Sequence, residues 1–235
     1  MRLAPEGVRE WGLANCVAVV VLVPLWICCP MIWLNWCVTA IVGALYLFIM
    51  QFFRDPNRSP GPHVQPGDCI SPADGVVSAI ETVDAHEAIN GPAVIIRIFL
   101  NVFNVHVNRV PCDAVVRDAI YRKGKFLDAR KPESAIVNES NLVCMTRTDG
   151  LSLAVRQVSG AIARRIMCPL SGGESLTRAQ RMGMIKFGST TELILPQHSD
   201  PKVHVALGDK VTGGVTVLAT VPIQRSISPR PELRL

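Results

Sequence analysis

The chain has 235 residues, with 24 Lys+Arg against 19 Asp+Glu, and all of those charges lie outside the segment from Trp11 to Phe53. A soluble globular domain does not bury so long an uncharged apolar run, so a fully soluble enzyme, a disordered chain and a small disulfide scaffold are excluded as descriptions of the whole. The residues after Phe53 carry the entire net charge of +5 and are numerous enough for a core of their own.

The N-terminal segment 1–53 is predicted to be a membrane anchor. About 20 apolar residues cross a bilayer as a helix, and the run holds two such lengths, near 11–29 and 33–53. Pro24, Cys28, Cys29, Pro30 and Asn35 interrupt it near the middle, as a tight helical hairpin requires, and Trp11, Trp26, Trp33, Trp36 and Tyr46 supply interfacial aromatics. A signal peptide has a much shorter apolar region. Arg2 and Arg9 before the run, with Arg54 and Arg58 after it, put both ends on the cytoplasmic side of the cell (inner) membrane. The cysteines agree with a reducing compartment: four lie in the anchor, and Cys69, Cys112, Cys144 and Cys168 are scattered without metal-ligand spacing. No metal and no nucleic-acid partner are expected.

Residues 54–70, rich in Pro and Gly, read as a linker along the membrane surface, and 71–235 as one domain. Within it, segments rich in β-branched residues recur between turns: Ala93–Leu100, Ala114–Tyr121, Leu142–Arg147, Leu151–Val158, Arg165–Cys168, Met182–Phe187, Glu192–Leu195 and Val215–Val221. Asn90-Gly91-Pro92, Asp149-Gly150, Gly172-Gly173 and Gly208-Asp209 mark turns, and Asp84–Ile89 is the one weak helical pattern. The predicted fold is mainly β within an α+β whole, a sandwich or barrel-like domain behind a helical hairpin. A Gly-acidic turn recurs at Gly67-Asp68-Cys69-Ile70, Gly173-Glu174-Ser175-Leu176 and Gly208-Asp209-Lys210-Val211, each leading to a second Gly-containing turn. This resembles the turns of biotinyl and lipoyl carrier domains, although no hairpin tip carries their Met-Lys-Met, and a repeated β-turn without functional meaning is the better explanation.

Three polar residues stand in apolar or Gly-rich surroundings. They are Asp74 in Ser71-Pro72-Ala73-Asp74-Gly75, His106 in Asn104-Val105-His106-Val107-Asn108-Arg109, and Ser189 in Lys186-Phe187-Gly188-Ser189. An Asp, a His and a Ser are the parts that make a hydroxyl nucleophilic. Each also has an ordinary explanation: Asp74 as a turn residue before Gly75, His106 as a strand residue between valines, Gly188 as a bend between strands.

Those three motifs, together with Phe52-Phe53-Arg54-Asp55-Pro56-Asn57-Arg58 before them and Tyr121-Arg122-Lys123-Gly124-Lys125-Phe126 between, stand in one order from Phe52 onward. As a set the five resemble the short form of phosphatidylserine decarboxylase. The resemblance implies a proenzyme that cuts itself between Gly188 and Ser189 into chains 1–188 and 189–235, held together as a heterodimer. It implies that Ser189 becomes a covalent pyruvoyl group, with His106 as base and Asp74 as its orienting partner. That group would form a Schiff base with the serine headgroup of a membrane phospholipid, release carbon dioxide and leave phosphatidylethanolamine. A homo-oligomer of the processed enzyme is compatible with this. Arg54, Arg58 and Lys125, with Arg122 and Lys123, are candidate contacts for the lipid phosphate. Two departures are visible: Phe103 stands where long-form relatives have a second His, and Asn138-Glu139-Ser140-Asn141 where Asn-Glu-Arg-Asn is frequent. An archaetidylserine or other aminophospholipid decarboxylase, an Asp-His-Ser hydrolase and a non-catalytic membrane adaptor are the alternatives; no G-x-S-x-G elbow surrounds Ser189 to favour the hydrolase.

Overall fold

The computed structural model describes residues 2–131, 133–161, 165–186 and 188–223. Strand β1 (Arg2–Leu3) precedes helices α1 (Val8–Cys28) and α2 (Ile32–Phe52), and β2 (Arg54–Asp55) returns to pair with β1. Then come β3 (Asp68–Ile70), β4 (Gly75–His86), β5 (Gly91–Leu100), β6 (Val107–Arg109) and β7 (Ala114–Arg122). After the one-turn helix α3 (Ser134–Val137) follow β8 (Ser140–Arg147), β9 (Ser152–Ser159), β10 (Arg165–Met167), β11 (Ser175–Leu176), β12 (Arg181–Lys186) and β13 (Ser189–Pro196). The short strands β14 (Lys202–Val203), β15 (Lys210–Val211) and β16 (Val217–Thr220) complete the described chain.

Each helix has 21 residues, about 31 Å at 1.5 Å per residue, which matches the apolar thickness of a bilayer. Their apolar side chains face outward, Ile27 being 77% and Val20 70% exposed, an arrangement that water disfavours and that suits membrane association. The two helices are stitched by Trp26 Nε1 donating to Thr39 Oγ1 at 3.1 Å, by Tyr46 OH donating to Asn15 Oδ1 at 3.0 Å, and by the edge-on Trp26–Trp36 pair. Asn35 closes the turn between them by donating to the Cys29 carbonyl at 3.2 Å.

The domain is built on a curled half-barrel of eight antiparallel strands in the order β11-β7-β8-β9-β13-β5-β4-β15. Two three-stranded sheets, β10-β12-β6 and β14-β16-β3, complete it. Strand β13 lies in the middle and pairs with β9 on one side and β5 on the other. Its side chains are buried on both faces: Leu193 and Leu195 enter the main core with Ile96, Ile98 and Val155, while Ile194 faces a second cluster with Ala93, Leu142 and Ala154.

Glu192 of β13 is fully buried and registers with Arg97 on β5 and Arg156 on β9, whose Nε groups lie 2.7 Å from its two oxygens. Glu192→Ala leaves two guanidinium groups without their buried counter-charge. It is expected to destabilise the domain by about 3–5 kcal/mol, read as a fall in Tm by calorimetry in detergent.

The Gly-acidic repeat proves to be one turn used three times. Asp68, Glu174 and Asp209 each accept a hydrogen bond from the backbone N–H three residues earlier, on Gln65, Ser171 and Ala206, at 2.8, 2.7 and 2.8 Å. Each turn feeds a short strand, β3, β11 or β15. Two expectations are corrected. Asp84–Ile89 is not helical: Asp84–His86 ends the 12-residue β4, and Glu87–Asn90 is a turn closed by Asn90 N–H donating to the His86 carbonyl at 2.9 Å. Of the surface linker 54–70, Asp68–Ile70 is a buried strand of the domain.

Candidate active site

The loop from β5 to β6 delivers His106. Asn104 Oδ1 accepts from Asn101 N–H and Asn101 Oδ1 from Phe103 N–H, both at 2.9 Å, so two short amide side chains fold the loop on itself. The His106 ring is fully buried. Its Nδ1 lies 3.0 Å from the Asn104 carbonyl, and Gly188 N–H donates to its Nε2 at 3.2 Å. A carbonyl can only accept, so Nδ1 carries the proton and Nε2 presents its lone pair to the Gly188 backbone. Burial pushes the His106 pKa down to about 4, against the Asn104 hydrogen bond and with help from the Arg54 charge, so the ring is neutral at pH 7.

Gly188 has φ +68°, a left-handed conformation that favours glycine, and a Cβ there would meet nothing; conformation and not crowding calls for this residue. Ser189 begins β13, pairs with Leu100 and Ser159 and is fully buried. Its hydroxyl has no hydrogen-bond partner among the described residues. Beside Gly188 opens a cavity of about 350 Å³ lined by Leu100, Asn101, Val102, Ala129, Arg130 and Ala161. Gly160, at the end of β9, packs against the Gly188 carbonyl so closely that a Cβ on it would lie 2.4 Å from that oxygen.

Asp74 is held elsewhere. Its Oδ1 accepts from Gly213 N–H at 2.7 Å and its Oδ2 pairs with Arg58 Nη2 at 3.0 Å, tying the loop before β4 to the loop after β15. Burial raises its pKa, opposed by Arg58 and by the Gly213 hydrogen bond. The expected Asp74–His106 contact is therefore absent among the described hydrogen bonds, and the Asn104 carbonyl takes the orienting place at Nδ1. Arg54 Nη2 donates to the Phe103 carbonyl at 2.7 Å and Nη1 to the Gln51 carbonyl at 2.6 Å, which fastens the His106 loop to the end of α2. Lys125, expected beside them, is exposed on the loop after β7, where its backbone pairs with Val137 and Glu139.

Sequence reasoning missed a buried amide chain under this site. Asn141 Nδ2 donates to Gln157 Oε1 at 3.3 Å, Gln157 Nε2 to Asn108 Oδ1 at 2.8 Å, and Asn108 Nδ2 to Thr191 Oγ1 at 3.0 Å. Its signal is faint: Asn108 and Gln157 are amides following or preceding valines in short strands that also carry Arg109 and Arg156. Gly160 and Phe52, which stacks on His106 with ring centroids 4.3 Å apart, were also missed.

A neutral imidazole is bonded to the backbone N–H of Gly188, and the next residue, Ser189, carries a buried hydroxyl without a partner among the described residues. The family model for phosphatidylserine decarboxylase matches residues 45–219. The chain is 38% identical over 221 residues to a phosphatidylserine decarboxylase proenzyme of Geobacter sulfurreducens, covering 94% of this chain and 97% of that one. It is 42% identical over 189 residues to the proenzyme of Solidesulfovibrio magneticus, covering 79% and 85%, and 43% identical over 178 residues to that of Aromatoleum aromaticum, covering 76% and 80%. It is thus an enzyme, a lyase of the decarboxylase class. The chain belongs to the phosphatidylserine decarboxylase family, whose members characteristically carry a pyruvoyl group made from their own chain.

Proposed function

We propose that this chain is a short-form phosphatidylserine decarboxylase that cuts itself between Gly188 and Ser189, and that its anchor crosses the membrane twice with the domain on the cytoplasmic side. The observation that carries this reading is that His106 Nε2 accepts from Gly188 N–H, one peptide before the Gly188–Ser189 bond, while the adjacent Ser189 holds a buried hydroxyl without a partner among the described residues. In the proposed cut, His106 Nε2 exchanges its Gly188 N–H bond for the Ser189 hydroxyl and takes that proton as Oγ attacks the Gly188 carbonyl; it returns the proton to the Ser189 nitrogen as the peptide C–N bond gives way to an ester. Loss of the residue 189 Cα proton then breaks the Cβ–O bond and releases Gly188 as a carboxylate. The dehydroalanine left at 189 takes up water and loses ammonia, giving the terminal pyruvoyl group.

The site suits such a group. It sits at the start of a rigid central strand, beside the cavity at Gly188, and its precursor side chain makes no hydrogen bond among the described residues that its loss would break. The pyruvoyl carbonyl supplies an electron sink that lets a carboxylate leave the adjoining carbon as carbon dioxide. The chain's own residues do the rest: Leu100, Val102 and Ala129 give the cavity an apolar wall, Arg130 lines it together with its ion-pair partner Asp128, and His106 holds or returns a proton. Phosphatidylserine is the proposed substrate because the relatives' names specify it and because two outward-facing apolar helices keep the domain at a lipid surface.

Intact mass of the full chain purified in detergent, beside Ser189→Ala, tests the reading. Wild type is expected as two chains split after Gly188, the smaller refractory to Edman degradation, and Ser189→Ala as one chain of 25.6 kDa without activity on phosphatidylserine vesicles. A folded wild-type chain that stays whole sinks it.

A further inference from the structure

The helical hairpin does more than sit near the site. Three residues from the end of α2 and the segment that follows it grip the loop that carries His106. Phe48 meets Phe103 edge-on with centroids 6.2 Å apart, Arg54 donates to the Phe103 carbonyl, and Phe52 lays its ring on the imidazole. We propose that Phe52 is a positioning residue for His106, so that the membrane anchor supplies one wall of the active site and self-cleavage waits on its docking. This deepens, and rests on, the reading that His106 serves the Gly188–Ser189 peptide.

The two hydrogen bonds of His106 lie in its ring plane, at Nδ1 and Nε2, and leave the ring face to be held by packing. Phe52 does that from 4.3 Å at a tilt of 35°. It is itself fully buried in a cluster with Ala4, Phe53, Val105, Val107 and Met184, which joins the anchor to β6 and β12. Ion pairs hold the same seam: Glu6 with Arg181, and Glu10 with Lys186 at 2.5 Å, two residues before Gly188. Charge at the imidazole comes from Arg54 on the anchor side, and the Asn104 carbonyl and Gly188 N–H are its polar neighbours from the two loops. Removing the flat ring face frees the imidazole to tilt and lets water reach it, which raises its proton affinity toward that of an exposed histidine.

The test compares Phe52→Leu, which keeps apolar volume but not the flat face, with Phe52→Tyr, which keeps the face. In the full-length Ser189→Ala chain in nanodiscs, histidine NMR should find His106 titrating near 4 both with Phe52 in place and in Phe52→Tyr, and at least about one unit higher in Phe52→Leu. In the processing-competent chain, pulse–chase should show precursor conversion slowed about tenfold or more by Phe52→Leu and restored by Phe52→Tyr. That slowing should deepen below pH 6.5, where a re-exposed His106 becomes protonated. Leu47→Ala, on an outward face of α2, should convert at the wild-type rate. An unchanged His106 titration in Phe52→Leu overturns the proposal, as does a slowing that Phe52→Tyr does not rescue and that pH does not alter. If wild type never cuts, the self-processing reading fails by itself, and the NMR titration alone then judges the role of Phe52.

Discussion

His106→Ala is expected to accumulate as the uncut precursor, its conversion slowed by about 10²–10⁴-fold, the contribution typical of a placed general base. The geometry argues for an effect of this size because no second imidazole or carboxylate is hydrogen-bonded to Gly188 or Ser189 among the described residues. The pH behaviour distinguishes a base from a packing residue. With His106 near 4, its Nε2 is unprotonated throughout the neutral range, so wild-type conversion should be flat from pH 8 to about 5 and fall below that. The same depression has a cost for the fold. An unfolded histidine binds its proton near pH 6.5 while the folded one does not until about 4, so the unfolded state takes up more protons between them. Stability is full above pH 6.5 and drops as pH falls toward 4, by about 3 kcal/mol in order of magnitude. His106→Gln should remove that acid-side loss from a denaturation series while still blocking the cut. A variant that processes at the wild-type rate rules out the base role.

Gly160→Ala is the second change with a large expected effect, and it acts without touching any titrating group. Its methyl would lie 2.4 Å from the Gly188 oxygen and 3.1 Å from the Gly188 carbon, with Ala129 Cβ at 3.2 Å behind it. The closest contact is backbone, which cannot swing aside as a flexible side chain can, so the Gly188 carbonyl has to shift and the bond proposed to be attacked is displaced from the nucleophile. Misplacement on the ångström scale costs about 10²-fold in a positioned reaction. Overpacking of this kind costs the fold only about 1–3 kcal/mol, so the protein should remain folded by circular dichroism while its precursor persists on a gel. Gly91→Ala, where an added Cβ meets nothing within 4 Å, serves as the control and should process normally. Normal processing of Gly160→Ala would show that the carbonyl is not held where catalysis needs it.

The parts of the fold that sequence made legible are those with a local physical signature. An uncharged run too long for a soluble core gave the two helices, and β-branched segments between Gly turns gave β5, β7, β8, β9, β12 and β13. The end of the long strand β4 was hidden because Asp84 and Ala85, read on into the turn residues Glu87 and Ala88, look helical taken alone. Pairing of β4 with β5 across the hairpin overrides that preference. At the site, Gly188 N–H meets His106 Nε2, although 82 positions separate them and no local pattern predicts it. Asp74 illustrates the limit. Its setting before Gly75 fits both a triad member and a turn residue, and in the structure its oxygens are spent on Arg58 and Gly213. Gly160 and Phe52 matter through what approaches them from distant strands and helices, information that a glycine at a strand end or a phenylalanine at a helix end does not carry.

The placement of Ser189 at the first position of β13 also bears on what the proposed cut leaves behind. The smaller fragment begins with a strand zipped on both edges, from Ser189 to Pro196 along β5 and from Ser189 to Ile194 along β9. Severing the chain there resembles splitting a protein at the margin of an interior strand: the pieces stay locked by the sheet itself, as in fragment complementation. A terminus made by that cut would have none of the freedom of an ordinary chain end, and a reactive group formed there would be immobilised from the start, with the whole half-barrel as its clamp.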